Sequence, residues 1–139
     1  MNEEIKSNFY FENYLIDKIN LKVNEEFNNK GEINLDFDID SQTEINMVEK
    51  TSQKILTVTI WDNAQKNNYP FSLEISIIGF FSADDKIDEE EFKTLCKYNS
   101  ASILFPFLRS AIADITRVSN VKPLTFPLIN VLNFIDDKE

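Results

Sequence analysis

From Phe9 to Phe81 the chain alternates apolar and polar residues with a period of two in four successive segments, separated by short polar turns. That period puts every second side chain on one face of a strand. Turns this short leave no room for crossover helices, so the four segments must form an antiparallel sheet. The first runs from about Phe9 to Val23, with Phe9, Phe11, Leu15, Ile19, Leu21 and Val23 on odd positions. Asn13 and Asp17 interrupt that face, which predicts a long strand with a bend or bulge. After a turn through Asn28, Asn29, Lys30 and Gly31, Ile33, Leu35, Phe37 and Ile39 alternate with Asn34, Asp36, Asp38 and Asp40, a strand with one wet face. A third strand is expected from about Gln53 to Asp62 and a fourth from Phe71 to Phe81. In the fourth, Phe71, Leu73, Ile75 and Ile77 lie opposite Ser72, Glu74 and Ser76. Asp62, Asn63, Asn67 and Asn68 supply the turn between these two.

The period changes at Asp88. Asp88 followed by Glu91 is a helix start of the capping-box type, and Phe92, Leu95 and Cys96 line one side of a short helix. The pattern breaks at Tyr98-Asn99-Ser100. Leu104, Phe107, Leu108, Ala111, Ile112 and Ile115 then recur at spacings of three and four, predicting a main amphipathic helix that ends near Asn120. Pro106 fits only a first turn, so this helix is expected to begin between Ser100 and Phe105. Pro123, Phe126 and Pro127 predict an extended tail. The expected fold is α+β, a four-stranded antiparallel sheet with a long C-terminal helix packed on one face, formed by residues 1–139 as a single domain.

Composition restricts the chemistry. The 139 residues include no His, one Cys and two Gly, which removes imidazole catalysis, imidazole or thiolate zinc sites, and glycine-rich nucleotide loops. The expectation is a non-enzymatic protein without cofactor or metal. A formal net charge of −10, from 14 basic and 24 acidic residues, repels a phosphate backbone, so no nucleic-acid partner is expected. No apolar run approaches the ~20 residues that span a bilayer, and Met1-Asn2-Glu3-Glu4 is unlike a basic signal-peptide start. A cytoplasmic protein without membrane insertion is expected, with Cys96 buried as a small hydrophobe. The acidic row Asp36, Asp38 and Asp40 could hold a hard cation, but alternating charge on an exposed strand face is the ordinary way to keep a sheet soluble.

An apolar surplus remains in Phe80, Phe81, Phe105, Phe107, Leu124, Phe126, Leu128 and Phe134. It either completes the core of one chain or marks a subunit interface or an apolar groove.

The stretch Ile103-Leu104-Phe105-Pro106-Phe107-Leu108-Arg109, followed by Thr125-Phe126-Pro127, resembles the bacterial export chaperone family SecB. Gly79-Phe80-Phe81-Ser82, Leu35-Asp36-Phe37-Asp38 and Thr57-Val58-Thr59 are similar to strand segments of that family in the same order. The resemblance implies an ATP-independent holdase for unfolded or dedicated client polypeptides, of the protein-export or antitoxin type, assembled as a dimer of dimers. It implies client contacts at Phe80, Phe107, Leu124, Phe126, Leu128 and Phe134, and a subunit interface at Leu108, Ala111, Ile112 and Ile115. Glu74 matches an acidic position that meets the translocase motor SecA. Lys18 and Lys22 stand where the family has acids, and the chain stops at Glu139 without a second long helix or the family's zinc tail, so weak or absent coupling to SecA is expected. Two other readings stay open, a carrier or sensor of a small apolar ligand and a structural oligomeric adaptor.

Overall fold

A computed structural model describes residues 8–29 and 31–135; Met1–Glu4, Lys30 of the first turn and Glu139 lie outside the described residues. The strands are β1 (Phe9–Val23), β2 (Phe37–Asn46), β3 (Thr51–Ile60) and β4 (Phe71–Ala83). They form one antiparallel sheet in the order β1-β4-β3-β2. Between β3 and β4 sits a single helical turn, α1 (Ala64–Asn67), flanked by Asn63 and Asn68 in left-handed backbone conformations that asparagine tolerates.

Registration shows which face each residue takes. Phe71, Leu73, Ile75, Ile77 and Phe81 of β4 and Leu56, Val58 and Ile60 of β3 are buried on the inner face, under the helix. β1 shifts register twice, between Phe11 and Asn13 and between Ile16 and Lys18. Each extra residue reverses the alternation, so the expected bulge is in fact a pair. Between them Tyr14 and Ile16 point inward and Leu15 pairs with outward-facing Ile78, half exposed instead of in the core.

The second strand lies further along the chain than its alternation suggests. Ile33 to Asp36 run extended without a ladder. Trp61 holds them, its backbone N–H donating to the Asp36 carbonyl (2.9 Å) and its indole Nε1 to that of Asn34 (3.0 Å). The strand continues to Asn46, with hydroxyls at the inner positions Ser41 and Thr43 between Ile39 and Ile45. Thr43 accepts a 2.8 Å hydrogen bond from Nζ of Lys54, a fully buried lysine of β3.

Asp88 caps α2 (Glu89–Thr94), its Oδ1 accepting from the Glu91 N–H at 2.8 Å. A π-helical turn, Leu95–Asn99, then leads without a break into α3 (Ser100–Val118), which explains the broken period at Tyr98-Asn99-Ser100. The result is one 30-residue helical rod. Pro106 therefore lies inside the rod and not in a first turn. It is tolerated because Pro106 and Ser102 face solvent, where water can satisfy the carbonyl that loses its donor. Ala101, Leu104, Phe105, Leu108, Ile112 and Thr116 are buried against the sheet. Helix and sheet pack closely at Gly79, where a Cβ would stand 2.6 Å from Leu104 Cδ2.

Candidate functional site

The six residues expected at a client site do not form one surface. Phe80 is on the outer face of β4, paired with Gln53 and Asn13, with the sheet between it and the helix. Phe107 lies beside β1, its ring 4.7 Å from Tyr14 and 5.6 Å from Phe11. Phe126 is 1% exposed and wedged edge-on between Phe37 (4.8 Å) and Phe105 (5.9 Å). Its carbonyl accepts from Arg109 Nε (3.0 Å) and Nη2 (2.8 Å), so the tail is anchored through both side chain and backbone. Phe134, in a 3₁₀ turn (Val131–Phe134), lies 5.5 Å from Phe37, and Leu128 is 86% exposed. Phe80 borders a concavity of about 480 Å³ with Glu12, Ile45 and Gln53, and Leu124 lines one about twice that volume.

The larger concavity is an open apolar groove of about 990 Å³ at the end of the sheet where β1 and β3 finish and β2 and β4 begin. One wall is the loop after β1, with Phe27, Ile33 and Leu35; the floor is Trp61 and Phe71; the other wall is Val121 to Leu124 behind α3. The polar residues around it fasten its walls. Asn28 and Asn68 exchange hydrogen bonds of 3.0 and 2.9 Å, tying the loop to α1. Asn24 Nδ2 donates to the Tyr69 carbonyl at 2.9 Å. Thr116 Oγ1 accepts from the Leu124 N–H at 3.0 Å and holds the far wall to the helix. The Trp61 ring stacks on Tyr69 and meets Phe71 edge-on at 5.0 Å. A pre-formed apolar cleft with fixed walls can hold apolar side chains of a ligand without first ordering itself.

Alternation at Ile33 and Leu35 marks both residues as apolar. The same alternation reads as strand, so it conceals the groove wall that they form.

Among the residues expected at a subunit interface, Leu108 and Ile112 are fully buried within the chain, facing the sheet. Ala111 and Ile115 are half-buried on the side toward β1, in helical register with Phe107 and Val118. Across from them the inner row of β1 is left open, with Tyr14 37%, Ile19 47% and Val23 43% exposed. This apolar strip reaches the groove at Val23.

On the outer sheet face Glu74 forms an ion pair of 2.8 Å with Lys18 across β1 and β4. Asp38, Asp40 and Glu44 are exposed along β2 on that same face. Cys96 is buried beneath the π-helical turn, and burial pushes its thiol above the ordinary value of 9.0. No cluster of three or more metal-ligating side chains occurs among the described residues. None of the described helices is long and apolar enough to cross a membrane.

The family model described as preprotein translocase subunit SecB matches residues 8–137. An uncharacterised protein of Methanocaldococcus jannaschii is 30% identical over 133 residues, covering 93% of this chain and 83% of that protein. A protein-export protein SecB of Anaplasma phagocytophilum is 37% identical over 62 residues, 43% of this chain and 39% of its own. The corresponding protein of Acidithiobacillus ferrooxidans is 29% identical over 90 residues, 65% and 59% of the two chains. The match thus spans less than two thirds of either SecB protein. Among solved structures, a SecB-like chaperone of Mycobacterium tuberculosis, in complex with a ChAD peptide from the HigA1 antitoxin, superposes with a TM-score of 0.70 at 12% identity. That superposition covers 88% of this chain and 91% of the other and shows a shared fold. On the family match across residues 8–137, this chain belongs to the SecB family, which is non-enzymatic.

Proposed function

We propose that the protein is a cytoplasmic, ATP-independent holdase that keeps unfolded or dedicated client polypeptides in the groove between the Phe27–Leu35 loop and the Val121–Leu124 segment. The observation that carries this reading is the groove itself, an apolar concavity left open in the folded chain with hydrogen-bonded walls. Unfolded clients expose apolar segments, and burying them here needs no chemical step. Membership of the SecB family supports the same reading, as does the antitoxin peptide held by the M. tuberculosis relative. Leu124 is the residue of the expected client set that we retain in the groove. Ile33, Leu35 and Trp61 join it, and Leu128 and Phe134 flank the tail that forms its wall.

The open strip of Tyr14, Ile19 and Val23 beside Phe107, Ala111 and Ile115 is assigned to self-association, with a dimer of dimers as the expected assembly. Joining several grooves in one particle gives avidity for a long client. Lys18 already neutralises Glu74, which supports weak or absent docking of SecA.

The test is light scattering of a chemically unfolded protein diluted into nucleotide-free buffer, run beside solution mass. The expected result is suppressed aggregation by an oligomer, lost in Leu35→Asp and Leu124→Asp variants whose melting temperatures stay close to the parent. Unchanged aggregation, or equal protection by both variants, contradicts the assignment.

A further inference from the structure

Trp61 follows directly on β3, whose alternation turns Thr57 and Thr59 outward and so assigns Trp61 to the outer face as well. Its ring is on the inner side instead. It is 8% exposed, meets inward-facing Phe71 at 5.0 Å and lies on the floor of the groove. The reversal comes from a left-handed backbone at Trp61, with φ at 51°. Asn63, Asn68 and Asn120 also have left-handed backbones, but asparagine is suited to them. A bulky side chain rarely adopts that conformation, and such strain persists only where the surroundings over-determine it.

The surroundings do so here. The Trp61 N–H donates to the Asp36 carbonyl at 2.9 Å, and the Trp61 carbonyl accepts from Ser72 Oγ at 2.6 Å, which itself accepts from the Ala64 N–H at 2.9 Å. With the backbone held, the indole Nε1–H reaches the Asn34 carbonyl at 3.0 Å. That bond sits where the loop wall has little other support. Among the described residues, no other hydrogen bond joins residues 32–35 to another part of the fold. Asn34 lies between Ile33 and Leu35, the apolar side chains of that wall, so this one bond fixes their distance from the floor.

We infer that Trp61 is a positioning residue whose indole N–H sets the width of the groove, and thereby the size of apolar side chain that the groove selects. The inference rests on the reading of the groove as the client site. A latched wall rejects the bulkiest side chains by overlap, and a released wall admits them, so the latch acts on the difference between two clients and not on affinity alone.

The experiment replaces the Trp61 indole by its benzothiophene isostere, in which sulfur stands in place of the N–H and the ring keeps its shape. Without client, amide nitrogen relaxation should show backbone order parameters at residues 32–35 falling from about 0.85 to below about 0.6, with Asn28 and β2 unchanged. Two unstructured, tryptophan-free peptides, identical except for leucine or naphthylalanine at the apolar positions, are then titrated into both proteins. The ratio of their affinities should shift toward the naphthylalanine peptide by at least about fivefold in the isostere. Unchanged order at residues 32–35, or an unshifted ratio, would overturn the inference and leave the client reading standing. A parent protein that binds neither peptide would overturn the client reading, and the inferred selectivity with it.

Discussion

Replacing Phe126 by alanine removes a ring that is 1% exposed and packed edge-on against Phe37 and Phe105, with its carbonyl clamped by Arg109. Emptying such a site costs about 3–5 kcal/mol from lost transfer energy and the cavity left behind. Against a total stability of about 5–15 kcal/mol for a domain, that is a large fraction. The melting temperature should fall by roughly 10–20 °C at this chain length. Urea denaturation at fixed protein concentration is the suitable assay, because any self-association makes apparent stability depend on concentration. The midpoint should drop with little change in slope. Client affinity, measured well below the new melting point, should change little, since the ring faces the core and not the groove. A stability loss under ~1 kcal/mol together with a tenfold loss of client binding would refute the packing argument and return Phe126 to the binding surface.

Gly79→Ala should destabilise by about 1–3 kcal/mol, since the new methyl would meet Leu104 at 2.6 and 2.7 Å and Phe81 at 2.8 Å in a core with no slack; a thermal melt checks this. Cys96 should resist alkylation at pH 8 in the folded chain and react at once in urea, because it is buried and its thiol value is raised. A group whose folded value lies above its unfolded one stabilises fully below the unfolded value and loses that contribution as pH rises through the folded one. Stability should therefore fall above about pH 9 more steeply in the parent than in Cys96→Ala, as read from urea midpoints across pH.

Strand identity and helix position follow from the period of the apolar residues, because the helix covers the centre of the sheet and leaves the outer face wet. Departures occur where a local geometric choice reverses that pattern. The paired bulges in β1 cancel over the whole strand, so the alternation looks regular at both ends while Leu15 has changed face. In β2 the inner face carries hydroxyls at Ser41 and Thr43, with the buried Lys54 opposite Thr43, so the middle of the strand looks polar on both faces. Thr43 and Lys54 pack through a polar contact, which hydropathy alone reads as exposure. The groove escaped detection for a related reason. Its walls come from two segments without regular structure, about ninety residues apart, and only the fold brings Ile33 and Leu35 opposite Leu124. Phe126 and Leu128 are similar in hydropathy and two residues apart, yet one is core and the other 86% exposed, because the Arg109 clamp fixes which way the tail turns.

The sole tryptophan of the chain lines the proposed groove, so its fluorescence reports occupancy without any label. Titrating a permanently unfolded polypeptide into the protein in nucleotide-free buffer should shift or quench Trp61 emission saturably, provided that the client itself contains no tryptophan. The Leu124→Asp variant, with the same unliganded spectrum, should show no such change. Client binding that leaves Trp61 emission untouched, or an equal response in Leu124→Asp, would contradict the account that this groove holds the client.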